Sequence, residues 1–186
     1  MIKAAVALAS GIGLFLGAPA HAAPDRTRLD ALITQFEAAD ANSDVEGYRK
    51  IADQTLAEAR RLYPAGHPEI AARALYVAQA LAASGEMDPA KAEVDRIIPV
   101  LAGAQGYKAD WRNALSLRAY ILNFKGDHAG ALAINEQLAA EYASDPSSQG
   151  IRDHAVTLSN LAASYLEHGR LDDALARNAE AIRIGL

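Results

Sequence analysis

The sequence predicts an all-α protein, an α-solenoid of stacked helical hairpins. Three observations carry that prediction. Alanine supplies 43 of the 186 residues, mostly in stretches without proline, and it costs a helix less than any other residue because it has no rotamers to lose. Three glycines, Gly85, Gly126 and Gly169, recur at separations of 41 and 43 residues. Seven positions before each lies an alanine (Ala78, Ala119, Ala162), and five positions after each lies another (Ala90, Ala131, Ala174). Turn glycines flanked by small residues at fixed offsets mark a repeated unit, and stacked units bury a core that no single unit could bury.

The elements follow in order. Met1-Ile2-Lys3 sets one positive charge ahead of the uncharged run 4–16, and Pro19 then precedes Ala20-His21-Ala22. That order reads as a secretory signal peptide over 1–22, cut after Ala22 or, second, after Ala20. The apolar run is shorter than the ~20 residues a spanning helix needs, so contact with a membrane is expected only if the leader stays uncleaved. The remaining 23–186 forms one repeat domain. Its first unit, 25–63, is the least regular: helices at 25–40 and 44–63 are joined by Asn42-Ser43 instead of glycine, with Gln35 in place of the small residue. It reads as a degenerate cap or as a repeat.

The second unit, 68–101, holds helices at 68–84 and 88–101. Asp88-Pro89 falls in a first helical turn, where proline is tolerated. Val94, Ile97, Ile98 and Leu101 follow at i, i+3, i+4, i+7, one buried stripe. The third unit, 108–143, pairs helices at 108–125 and 127–143 around Gly126. Asp127 is placed to accept from the free amides of the second helix. The fourth unit, 151–186, pairs 151–168 with 171–184; Leu158, Leu161, Ala162, Tyr165 and Leu166 form its stripe, and Asp172 starts its second helix. Ala104-Gln105-Gly106 and the segment 144–150 are the breakers between units.

Composition excludes several chemistries. The chain has no cysteine, hence no disulfide, thiolate metal site or cysteine nucleophile. With 18 basic and 23 acidic residues, it lacks the positive field that attracts nucleic acid, which is not an expected partner. Cleavage after Ala22 would remove Lys3 alone among charged residues, leaving 17 basic and 23 acidic side chains. His67, His128, His154 and His168 lie in different units, none in the i, i+4 pair with an intervening glutamate that zinc peptidases use. Acidic residues such as Asp172-Asp173, Glu58, Glu93 and Glu136 read as caps or solvated faces. No catalytic residue, metal or cofactor is expected.

The stretch Asn160-Leu161-Ala162-Ala163-Ser164-Tyr165, then Gly169-Arg170-Leu171-Asp172-Asp173-Ala174-Leu175 and Ala181-Ile182, resembles the tetratricopeptide repeat. The spacing is that of its long version of about 42 residues, found in kinesin light chain-like proteins. Gly66-His67-Pro68 with Ile70-Ala71 is similar to the inter-repeat loop of that type. The third unit departs from the pattern where Arg118 replaces the apolar residue before Ala119 and where Phe124-Lys125 precedes the turn.

In such a fold the first helix of each hairpin lines a concave groove, and its exposed positions project from the turn glycine. They are Tyr76 and Gln79 in the second unit, Asn113, Ser116, Tyr120 and Asn123 in the third, and Ser159, Asn160 and Glu167 in the fourth. Side-chain amides can pair with an extended peptide backbone of any sequence, and tyrosines add contact area. The resemblance also implies that Asn160 points at a ligand backbone, although Tyr76 and Leu117 occupy the corresponding places elsewhere. A clamp for acidic tails would need basic groove positions, which here hold Leu75, Ser116 and Ser159. The expected function is therefore a non-catalytic, periplasmic or secreted scaffold that binds a peptide or protein segment. The alternative is a regulatory or docking segment of a larger or multi-subunit envelope enzyme, such as a caspase-like peptidase, whose catalytic part lies outside this sequence, since Ile182 to Leu186 follow without a polar capping helix.

Overall fold

The computed structural model describes residues 24–39, 41 and 44–185. The leader assigned to 1–22 and the Asn42-Ser43 turn lie outside the described residues. Among those described there are eight helices: α1 Thr27–Ala38, α2 Val45–Leu62, α3 Pro68–Ala83, α4 Met87–Leu101, α5 Lys108–Phe124, α6 His128–Ala143, α7 Ser148–Glu167 and α8 Leu171–Gly185. None is long and apolar enough to cross a membrane. Each helix packs on the next in sequence, and α3 also touches α5, which stacks the hairpins into a solenoid.

The three turn glycines do the same work in each unit. Gly85, Gly126 and Gly169 have φ of +79°, +82° and +71°, a region that L side chains enter only at a cost. The left-handed turn lets Glu86 N donate to Leu81 O (2.9 Å), Asp127 N to Leu122 O (2.9 Å) and Arg170 N to Tyr165 O (2.8 Å). Each bond closes the end of a first helix in the six-to-one pattern of a Schellman motif. The flanking alanines are the contact points of the hairpins. None of Ala78, Ala119, Ala162, Ala90, Ala131 and Ala174 exceeds 6% exposure, so a larger side chain at any of them would push two helices apart.

Four helix starts carry side-chain caps: Asp44, His67, Asp127 and Ser147 accept from Gly47 N, Glu69 N, Gly130 N and Gly150 N. Asp127 thus caps as expected, whereas Asp172 lies one residue inside α8, in its first turn. The helix α7 begins at Ser148 rather than at 151. Asp145 Oδ1 accepts from Ser147 N (3.1 Å) and from its hydroxyl (2.7 Å), and Ser147 in turn accepts from Gly150 N, so the local polar bonds start the helix three residues early. Arg118, which departs from the repeat pattern, forms an ion pair with Asp95 on α4 (2.9 Å).

The first unit joins the stack through aromatic and ionic contacts. Phe36 of α1 lies between Tyr48 of α2 and Tyr76 of α3, with ring centroids 4.3 and 3.9 Å apart. Glu69, 4% exposed, accepts from Arg26 Nη1 ahead of α1 and from the Tyr107 hydroxyl ahead of α5, each at 3.0 Å. Arg73 Nε lies 3.3 Å from the same carboxylate. One buried acid therefore ties three successive units together.

Candidate protein-binding groove

The inner wall of the solenoid is formed by the first helices α1, α3, α5 and α7, and two of the cavities on it gather the residues projected for the groove. The larger, about 480 Å³, lies between α1, α3 and α5, with Tyr48 of α2 at its edge; it is lined among others by Tyr76, Gln79, Arg73, Glu37, Asp110 and Asn113. The smaller, about 210 Å³, lies between α5, α6 and α7 and is lined by Ser116, Tyr120, Asn123, Asn135, Asn160 and Glu167 together with Leu138 and small residues. Tyr76, Gln79, Asn113, Ser116, Tyr120, Asn123 and Asn160, all projected for the groove, sit on one or other of these cavities.

Their exposure differs from the projection in one case. Tyr120, 55% exposed, stands free as a platform; Asn113, Ser116 and Asn160 are exposed, and Gln79 and Asn123 are half-buried. Tyr76 is not an open groove residue. Only 8% of it is exposed, because Phe36 stacks on its ring and Arg73 lies 4.6 Å from its centroid. Its hydroxyl accepts from Arg73 Nη1 (2.7 Å) and donates to Glu37 Oε1 (3.0 Å). Burial, and then the neighbouring Glu37 against Arg73, push the phenol up to about 12. Tyr76 is a wall of the larger cavity.

Ser159, also projected, is exposed, and its hydroxyl donates back to Ala155 O at 3.0 Å; it lines neither cavity. Leu75 is core, 1% exposed, and Leu117 packs half-buried against the hydrophobic clusters of the second and third units.

Two further polar groups on the inner wall escaped the projection because it considered only exposed positions on first helices. Asp110, in the first turn of α5, faces Arg73 at 3.5 Å, and burial raises its carboxyl above the usual range. Asn135 belongs to α6, a second helix, yet lies between α5 and α7 on the floor of the smaller cavity, 6% exposed. Its place between Ile134 and Leu138, inside the apolar stripe of α6, was the available sequence signal: an amide set among core positions.

Among the described residues no group of three or more His, Cys, Asp or Glu side chains is placed to hold a metal ion. His67 caps α3 through its ring nitrogen, and His168 sits on the C-terminal turn of α7 with Nδ1 2.8 Å from Ser164 O.

The architecture defines an α-solenoid of helical hairpins with a polar concave face. Its fold is the tetratricopeptide-like repeat of the kinesin light chain type. A Podosopora anserina putative kinesin light chain with nearly identical TPR-like repeats matches at a TM-score of 0.69 and 17% identity, over 86% of this chain and 76% of that one. A single-substitution variant of the same protein matches at 0.67 and 17%, over 84% and 74%. At that identity the likeness establishes the fold. No protein-family model matches the chain, and no curated protein matches it.

Proposed function

We propose that the protein is a non-catalytic interaction scaffold that holds an extended protein or peptide segment along its concave face. The observation that carries this reading is the run of amides and hydroxyls on the two inner cavities, with Tyr120 exposed beside them. Amides donate and accept at once, so they suit a main chain whose side chains vary. The fold supports the same class, since repeat solenoids offer extended concave surfaces to partners. An exported location, periplasmic or secreted, belongs to the same proposal and rests on the leader-like residues 1–22.

The test is affinity capture from periplasmic extract followed by titration of the captured partner. Tyr120→Ala and Asn160→Ala should each weaken binding by ~1–2 kcal/mol, as interface anchors do, with helicity unchanged because both side chains face water. Arg177→Ala, on α8 and paired with Glu180, should leave affinity intact. Unchanged affinity in the first two variants with a loss in the third would move the site to the convex face. A second reading, a docking segment of a larger enzyme, draws support from the uncovered apolar side chains of α8. Leu175 and Ile182 are 60% and 58% exposed, whereas Leu132 and Ala139, at the same offsets from Gly126, are packed against the following unit.

A further inference from the structure

The smaller cavity has a chemical sign, and it comes from where hydroxyl protons go. Thr157 and Ser164, 6% and 3% exposed, both line it. Thr157 Oγ1 donates to Asp153 O at 2.7 Å and Ser164 Oγ to Asn160 O at 3.1 Å. With their protons committed to the backbone of α7, these hydroxyls offer the cavity lone pairs only. Asn135 lies beside them on the floor, more than nine-tenths buried and without a hydrogen bond to any described residue. Its amide is open to the cavity and free to pair with an incoming group.

The rim carries the charge. Glu167 is the single carboxylate among the lining residues, and no lysine or arginine accompanies it there; the His128 ring on α6 lies 3.4 Å from its Oε2 and 3.3 Å from Asn123 Oδ1. Tyr120 adds an exposed aromatic face. Acceptor oxygens on the floor, a carboxylate at the mouth and an aromatic wall together suit a side chain that brings several donors and a positive charge. The larger cavity has the same sign, with Glu37 and Asp110 set against Arg73.

We propose that the cavity between α5, α6 and α7 seats a basic side chain, lysine or arginine, of the segment bound in the groove, with Asn135 and Glu167 as its recognition residues. This rests on the groove reading above and specifies its partner: a basic extended segment, not an acidic or neutral one.

The experiment uses three fluorescein-labelled nonapeptides, alternating alanine with lysine, with glutamine or with glutamate, titrated by anisotropy into the chain at physiological ionic strength. The lysine peptide should bind about tenfold tighter than the glutamine peptide, and the glutamate peptide weakest. Glu167→Gln, at an exposed position, and Asn135→Ala, which removes the amide without filling the cavity, should each cut lysine-peptide affinity about three- to tenfold. They should leave the glutamine peptide nearly unchanged, whereas Glu46→Gln on α2 should alter neither. Equal binding of the lysine and glutamine peptides would overturn the basic preference while leaving the groove standing. An equal loss from Glu46→Gln would reduce the effect to net charge and overturn the site. Binding by none of the peptides would overturn this proposal, and the groove reading would then stand or fall on its captured partner.

Discussion

Replacing Glu69 by glutamine should cost the protein ~3 kcal/mol, far more than a substitution that preserves shape costs on a surface. The carboxylate accepts from Arg26 and from Tyr107, each at 3.0 Å, and lies 3.3 Å from Arg73 Nε. Breaking a buried ion pair by neutralising one partner typically costs about 3–5 kcal/mol, because the other charge stays buried without compensation. The lower end applies here for two reasons. The Arg26 side chain is 39% exposed and falls back on water, and Arg73 keeps Asp110 at 3.5 Å. The assay is urea unfolding followed by helical circular dichroism and by fluorescence of the sole tryptophan, Trp111, on α5. Solenoids can lose terminal units first, so separation of the two transitions would show the first two units fraying from the rest. Adding Arg73→Met removes the stranded charge, and the double variant should be less destabilised than the sum of the singles by ~1 kcal/mol or more. A loss below ~1 kcal/mol for Glu69→Gln, or strict additivity with Arg73→Met, would refute the view that this acid joins three units.

Gly126→Ala should lower stability by ~1–2 kcal/mol through torsion alone, since φ is +82° and a Cβ there would meet nothing within 4 Å; thermal denaturation should show Gly126→Asn to be milder. Leu132→Ser and Leu175→Ser form a matched pair at the same offset from their turn glycines: the first should cost ~1 kcal/mol or more, the second within ~0.5 kcal/mol of nothing, by chemical denaturation of each. Arg112, with help from Ser147, holds Asp145 down to about 2, below the ~3.9 of an unfolded aspartate. Its stabilising contribution is therefore complete above about pH 4 and is lost as pH falls through about 2. Melting temperature against pH should show that acid limb, and Asp145→Asn should flatten it.

The fold could be read from the chain because its determinants are local. A glycine that must turn left-handed, an alanine seven positions before it and another five after it are all within one hairpin, and the backbone places them in contact whatever the neighbouring units do. Asp127 as a cap was readable for the same reason. Tyr76 was misjudged because its exposure depends on Phe36, in the preceding unit, which the projection from Gly85 does not contain. The ties among Arg26, Glu69, Arg73, Tyr107 and Asp110 are equally remote: Glu69 alone looks like an ordinary first-turn acid. The one visible sign was the pair Glu69 and Arg73 at i, i+4 on a helix whose remaining face is almost wholly apolar.

In a stacked hairpin the alanine contacts and aliphatic stripes supply the cohesion, so the inner wall is free to be polar at little cost where its side chains face water. Buried polar groups are another matter. Arg73 and Glu69 offset their desolvation by joining units, and Thr157 and Ser164 by bonding to their own helix. Asn135 makes no such bond within the described protein, and its amide opens onto the cavity alone; a leucine there would continue the stripe of Ile134 and Leu138. A local rule broken without structural gain is where a binding role is to be sought, and this one lies on the floor of the concave face, beside the carboxylate of Glu167 and the open ring of Tyr120.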